Sequence, residues 1–471
     1  MRSIFSAVLA SVASLSAQAA PTPPASAVPN RILVKFRKGS RMLNVRSANV
    51  VGSQLNLSIG SRELGVISQA RWIDRQTLAF RFAAGMTPVK AALEANLSKD
   101  VEWAQPDYLL SVLPVREGRR SDFSMMSAPE FLRPIFNPFP GGGNSLAADP
   151  DYVPAPPLPD TPIADPMNRD AWGLDMVKAT DAWKQQMGST KILVADIDTG
   201  VDYTHPDLVN NMWINPSPDP VLKDVVGYDF ANNDPKPYDD HGHGTHTSGT
   251  IGATGFNGVG LSGVSPRVSI VGIKFITKAG QGTTSDAIRS IDYAISRGVR
   301  VMSNSWGGRS DDDLENKALE EAIDRAAKAD VLFVAAAGND GTDNDKDPVY
   351  PAAYRLPNVL TVASTTNADR RSFFSNYGKE SVHVGAPGSA ILSTVPGGKY
   401  QKNSGTSMAC PHVAGLAALI LSERPDLTAV QVKQIIMDTV DPLAALQGMT
   451  VTGGRINAAA ALRRAKTFGA R

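Results

Sequence analysis

From residue 166 onward, short apolar runs recur: KILVADID (191–198), VSIVGIKF (268–275), RVMSNSW (300–306), VLFVAAAG (331–338) and VLTVAST (359–365). Each has strand length and is apolar along most of its course rather than alternating, the mark of strands covered on both faces. Between them the spacing turns helical. SDAIRSIDYAISRG places Ile288, Ile291 and Ile295 on one face with Gly298 as a stop, and LENKALEEAIDRAAKAD behaves likewise. The alternation predicts an α/β fold over residues 166–469, a doubly wound, mostly parallel sheet with helices on both faces. Sites in such sheets gather at the carboxyl ends of the strands.

Residues 28–114 read as a separate, small α+β unit: strand RILVKF, a polar middle, strand RQTLAFRF, a helix, then VEWAQPDYLLSV. In the helix Thr87 caps, Pro88 suits the first position, and Val89, Ala92, Leu93 and Leu97 share a face. Residues 115–165 contain FNPFPGGGNS and YVPAPPLPDTP, too rich in Pro and Gly for a core, and read as a linker; Arg119-Arg120 makes it an easy place to cut.

Composition narrows the function. With 47 Lys+Arg against 46 Asp+Glu in 471 residues, no global charge steers the chain to nucleic acid or an anionic membrane. Residues 1–19 carry Arg2, an apolar run and Ala17-Gln18-Ala19, a secretory-signal pattern that implies an extracellular or periplasmic protein. No later run approaches the roughly 20 residues of a membrane span. The single cysteine, Cys410, excludes an intrachain disulfide.

Four segments could carry chemistry. Asp198 closes an apolar strand ahead of Thr199-Gly200, as a site residue or a cap. Ser407 precedes a helical run in which Pro411 fits only the first turn, so it sits near free N–H groups and the positive end of a helix dipole; it could also simply cap that helix. Asn339 follows a strand end and could donate to developing negative charge, or merely form a Gly-Asn-Asp-Gly turn. DDHGHGTHTSGT holds His241, His243 and His246, open to three readings: metal ligands, one proton-transfer base, or a polar loop. A GxGxxG match at 258–263 leads into a strand rather than a helix, which points to turns and not to a nucleotide.

Together these segments resemble the subtilisin-like serine proteases, the subtilases: DTGVDYTHPDL around Asp198, HGTHTSGT around His243 and GTSMACPHVAG around Ser407, in the family's order. The resemblance covers roughly residues 165–466 and implies a serine endopeptidase with Asp198, His243 and Ser407 as its triad. It further implies Asn339 as an oxyanion donor and Ser305, Trp306, Gly307, Ala337 and Gly338 along the edge where a peptide substrate adds as a strand. Residues 28–114 resemble the family's ferredoxin-like propeptide, an intramolecular inhibitor removed by a cut between about residues 114 and 166. Structural calcium at Asp165, Asp207 and Asn257, no organic cofactor, polypeptide substrates and a monomeric state are implied as well. Val349, Tyr350 and Asp340 are expected near the specificity pocket, Cys410 as a buried thiol, and Asp239 and Asp240 as solvated loop carboxylates.

Overall fold

The computed structural model describes residues 27–40, 55–59, 62–82, 86–113, 126–127, 158–159, 161–309 and 316–469. The expected signal at 1–19 and most of the expected linker at 115–165 lie outside the described residues.

The N-terminal unit is an antiparallel sheet of β1 (Ala27–Phe36), β2 (Leu55–Ile59), β3 (Arg62–Trp72), β4 (Thr77–Arg81) and β5 (Val101–Val112), ordered β5-β1-β4-β3-β2 and packed against α1 (Pro88–Asn96). The polar middle of the sequence thus contains the β2–β3 hairpin, which its weak alternation conceals. Helix α1 starts as its sequence dictates, with the Lys90 N–H donating to Thr87 Oγ1 at 3.2 Å. Its buried face differs from the expected one. Ala91, Ala92 and Ala95 face Ile32, Val34, Phe36 and Phe80, while Leu93 and Leu97 are 52% and 80% exposed. The sheet already supplies the bulky side chains, so small residues let the helix approach it closely.

The larger unit is built on a nine-stranded sheet. Seven of its strands are β6 (Gly188–Asp198), β7 (Gly227–Asp229), β8 (Arg267–Lys274), β10 (Val301–Asn304), β12 (Leu332–Ala336), β13 (Val359–Thr365) and β14 (Val384–Pro387). They run parallel in the order β14-β13-β12-β10-β6-β8-β7. Two short antiparallel contacts, β9 (Gln281–Thr283) and β11 (Trp306–Gly307), belong instead to the sheet of the N-terminal unit. Alternate residues of the parallel strands enter opposite layers. Val194, Val334 and Val362 pack under α5 (Thr406–Glu423), with α6 (Ala429–Asp438) and α7 (Ala458–Thr467) beyond it; Ala195, Phe333 and Ala335 pack under α3 (Thr284–Ser296) and α4 (Lys317–Lys328). Helix α2 (His243–Gly252) lies beside α5 and β6.

The N-terminal sheet turns its second face onto α3 and α4. Leu33, Ala79, Trp103 and Leu110 join the apolar cluster of Ile288, Ile291, Leu319 and Ile323. The polar contacts fall on the two helix starts, where free N–H groups need acceptors. The fully buried Asp107 accepts from Ser285 N at 2.9 Å and Ser285 Oγ at 2.8 Å, with Arg31 Nε 3.0 Å away. Gln105 Oε1 accepts from Ala318 N at 2.9 Å.

Candidate active site

Asp198 ends β6 at the carboxyl edge of the sheet, and His243 opens α2 directly against it. The approach is close because Gly244 has no side chain: a Cβ there would stand 2.0 Å from Gly200 O. His243 Nδ1 donates to Asp198 Oδ1 at 2.7 Å, an oxygen that also accepts from Thr199 N at 2.7 Å. Both residues are buried, at 2% and 0% exposure. Burial works to lower the pKa of His243, yet the charge and hydrogen bond of Asp198 more than offset it, and the net shift is upward. His243 Nε2 is buried without a hydrogen-bond partner among the described residues.

Ser407 is the second residue of α5, next to the helix's free N–H groups. Its hydroxyl donates to Ser305 O at 3.1 Å, while Ser305 Oγ donates back to Ser407 O at 3.0 Å. In this conformation Ser407 is therefore turned toward Ser305 rather than His243. Asn339 follows β12, and its side chain is fixed by Thr406, whose N–H and hydroxyl donate to Asn339 Oδ1 at 2.8 and 2.9 Å. That orients Nδ2 beside the start of α5. A Cβ placed on Gly405 would lie 3.1 Å from Asn339 Nδ2 and 3.6 Å from Ser407 N, so two N–H donors flank one point.

The expected peptide-binding edge is β11. Trp306 contributes only its backbone there, because its side chain is fully buried and its indole N–H donates to Ile197 O at 2.8 Å. The bulk of Trp306 therefore sits in the core and does not shape a subsite. Gly307 sits where a Cβ would be 2.9 Å from Tyr350 O and 3.1 Å from Val349 Cγ1, so the expected pocket residues do meet it. Ala337 and Gly338 continue β12 behind them, with Gly338 N donating to Thr406 Oγ1 at 3.1 Å. Asp340 is buried against Arg309 at 3.1 Å, which removes it as a free partner for basic side chains.

The histidine cluster separates by partner. His246 Nε2 donates to Ile391 O and Gln401 O at 3.0 and 3.1 Å, and burial lowers its pKa to about 3. Among the described residues, no group of three or more His, Cys, Asp or Glu is placed to hold a metal. Asp239, expected in solvent, is buried and anchors the start of α2, accepting from Thr199 Oγ1, His241 N, Gly242 N, Thr245 N and Thr245 Oγ1 at 2.7–3.0 Å. Asp240 is half-exposed and pairs at 2.7 Å with Lys274, a buried ammonium that also donates to Thr199 O. Cys410 is fully buried, and burial pushes its thiol up to about 12, so it is no nucleophile at neutral pH.

One residue at the site escaped sequence reasoning. Asp196 precedes Asp198 by two positions on β6, hence on the same side of the strand, and its Oδ2 accepts from Thr247 Oγ1 and Ser248 Oγ, both at 2.7 Å. Burial first, and then the Asp198 charge, raises its pKa to about 8, so it is protonated at neutral pH. A carboxylate inside an apolar strand was the available signal.

Asp165, Asp207 and Asn257 do converge. Asp165 Oδ1 accepts from Asn257 N and Gly258 N, and Oδ2 from Phe256 N and Ser262 Oγ; Asp207 accepts from Asn257 Nδ2, Leu261 N and Tyr400 Oη. All four carboxylate oxygens thus serve N–H and O–H donors of the loop. Calcium needs such oxygens, and loop carbonyls, turned toward itself. Two carboxylates and the Asn257 amide gathered on one loop are oxygen donors of the kind such a cation takes.

A strand-end aspartate bonded to a helix-start histidine and a serine at the start of the helix packed beside it are residue types that acyl transfer through a serine uses. The subtilase family matches residues 189–463, more than half of the chain, and the chain belongs to that family of serine-type peptidases. It is 39% identical over 276 residues to a thermophilic serine proteinase of Bacillus sp. (strain AK1), covering 59% of this chain and 63% of that protein. It is 38% identical over 287 residues to thermitase of Thermoactinomyces vulgaris, covering 61% and 94%. With subtilisin of Bacillus pumilus it shares 37% identity over 270 residues, 57% and 90%.

Proposed function

We propose that the protein is a secreted serine endopeptidase made as a precursor, with Asp198, His243 and Ser407 as its triad and residues 28–114 as its propeptide. The observation that carries this reading is the 2.7 Å bond from His243 Nδ1 to Asp198, which leaves Nε2 as the free, basic nitrogen of a buried imidazole. After a turn of its side chain away from Ser305, Ser407 Oγ attacks a peptide carbonyl and passes its proton to His243 Nε2. Asp198 stabilises the imidazolium. Negative charge on the carbonyl oxygen is met by Ser407 N and Asn339 Nδ2. The imidazolium protonates the leaving amine, and water then enters by the reverse steps to free the acyl group. No metal takes part in any of these steps.

Peptide hydrolysis should be abolished by a serine-directed fluorophosphonate. A chelator should leave the chemical step intact and act slowly, by lowering the thermal midpoint; a midpoint unchanged on chelation would remove the structural cation from Asp165, Asp207 and Asn257. Asn339→Ala should lower kcat on the order of 10²- to 10³-fold, the magnitude found for such a donor in subtilisin, with KM little changed. A change confined to KM would remove Asn339 from the oxyanion role.

A further inference from the structure

The end of β5 lies in the crevice itself. Leu109, Leu110 and Ser111 pair antiparallel with Thr283, Gly282 and Gln281 on one side, while Ser111 and Val112 pair with Gly307 and Trp306 on the other. Val112 N adds a bond to Gly280 O at 3.0 Å. One residue further in this register places Leu113 opposite Ser305, the residue joined to Ser407 by two hydrogen bonds. Leu113 is fully buried and belongs to the same apolar cluster as Val334 and Ala336. Its Cδ2 lies 3.6 Å from the point where a Cβ on Gly307 would stand, a point also bounded by Val349 and Tyr350. On the peptidase reading, this register puts Leu113 at the expected specificity pocket and the bond that follows it at Ser407. In the sequence that bond leads to Pro114.

We propose that Leu113–Pro114 is a peptide bond the enzyme holds at its nucleophile but does not cut, so that β5 inhibits in the posture of a substrate and maturation proceeds at a later bond, within residues 115–165. This rests on the peptidase reading above and adds to it both the pocket's preference, a branched aliphatic side chain, and the reason its own strand survives there. Two properties of proline act together. A residue before proline is confined to extended conformations, which suits Leu113 to continue a strand and favours binding. Cleavage, in contrast, requires the C–N bond to break as the nitrogen takes a proton from His243 Nε2 while the Ser407 Oγ–C bond remains. On proline a ring carbon occupies the place of the amide hydrogen and crowds the approach of the imidazolium.

The test is terminal sequencing and intact mass of the full chain after maturation, in wild type, Pro114→Ala, and Pro114→Ala combined with Ser407→Ala, with fluorophosphonate labelling of the processed species. The wild type should yield a mature terminus beyond residue 114 and none at it. Pro114→Ala should shift the terminus to residue 114, and the added Ser407→Ala should abolish that product. A wild-type terminus at Pro114, or the same terminus in wild type and Pro114→Ala, would overturn the stalled-bond proposal while labelled Ser407 leaves the peptidase reading intact. Absence of label in every chain would instead overturn the peptidase reading, and the proposal with it.

Discussion

Ser407→Ala is expected to lower kcat for peptide hydrolysis by on the order of 10⁶-fold, the loss known for the nucleophile of subtilisin, and to leave the precursor uncut by its own activity. Fold and binding should persist, since the Ser407 hydroxyl contributes only a hydrogen bond to Ser305 O. The backbone N–H of residue 407 and Asn339 Nδ2 also remain, so a residual rate above that of water is predicted. His243→Ala should cost about as much, because the two side chains act as one unit, and the double variant little more. Progress curves on a leucine-containing peptide, with active sites counted by titration, measure the effect. Undiminished activity in Ser407→Ala would end the triad assignment.

Asp196→Asn is expected to change how stability depends on pH. The Asp196 carboxyl titrates near 8 in the fold and near 4 in an unfolded chain, so between those values the folded state holds a proton that the unfolded state has released. Stability therefore declines as pH rises through that window, by up to about 1.4 kcal/mol per pH unit from this one group, and levels off above about pH 8. Asparagine mimics the protonated acid: its carbonyl can accept from Thr247 and Ser248, and it has no proton to lose. The midpoint difference between variant and parent should therefore grow from pH 5 to pH 8, in favour of the variant, and stay level beyond. Thermal midpoints taken on the Ser407→Ala chain, which does not digest itself, measure this. A difference independent of pH would mean that Asp196 is ionised throughout. The chemical consequence is local: with Asp196 protonated, Asp198 is left without a second ionised carboxylate beside it on β6.

Much of this organisation was legible in the sequence for identifiable reasons. Strands buried on both faces read as unbroken apolar runs, and Asp198, His243 and Ser407 sit at element boundaries marked by Gly, whereas Pro411 lies inside α5 and not in its first turn. Other features were ambiguous at that level. Helix α1 carries alanines on one stripe and leucines on another, and hydrophobicity alone selects the wrong one. In Ser305-Trp306-Gly307 the backbone forms the edge, while the indole packs behind it against Phe275, a division that residue type does not reveal. Asp239 looked solvated because its five donors come from turns and a helix start. The role of Leu113 depends on register across more than 190 residues of separation from Ser305, and no local pattern encodes it.

Mapping a fluorophosphonate adduct on the matured protein by mass spectrometry reveals whether Ser407 is a nucleophile activated by His243. One adduct is expected, on the peptide containing Ser407, forming at least about 100-fold more slowly in His243→Ala. Labelling on another residue, or at an equal rate without His243, would contradict that assignment.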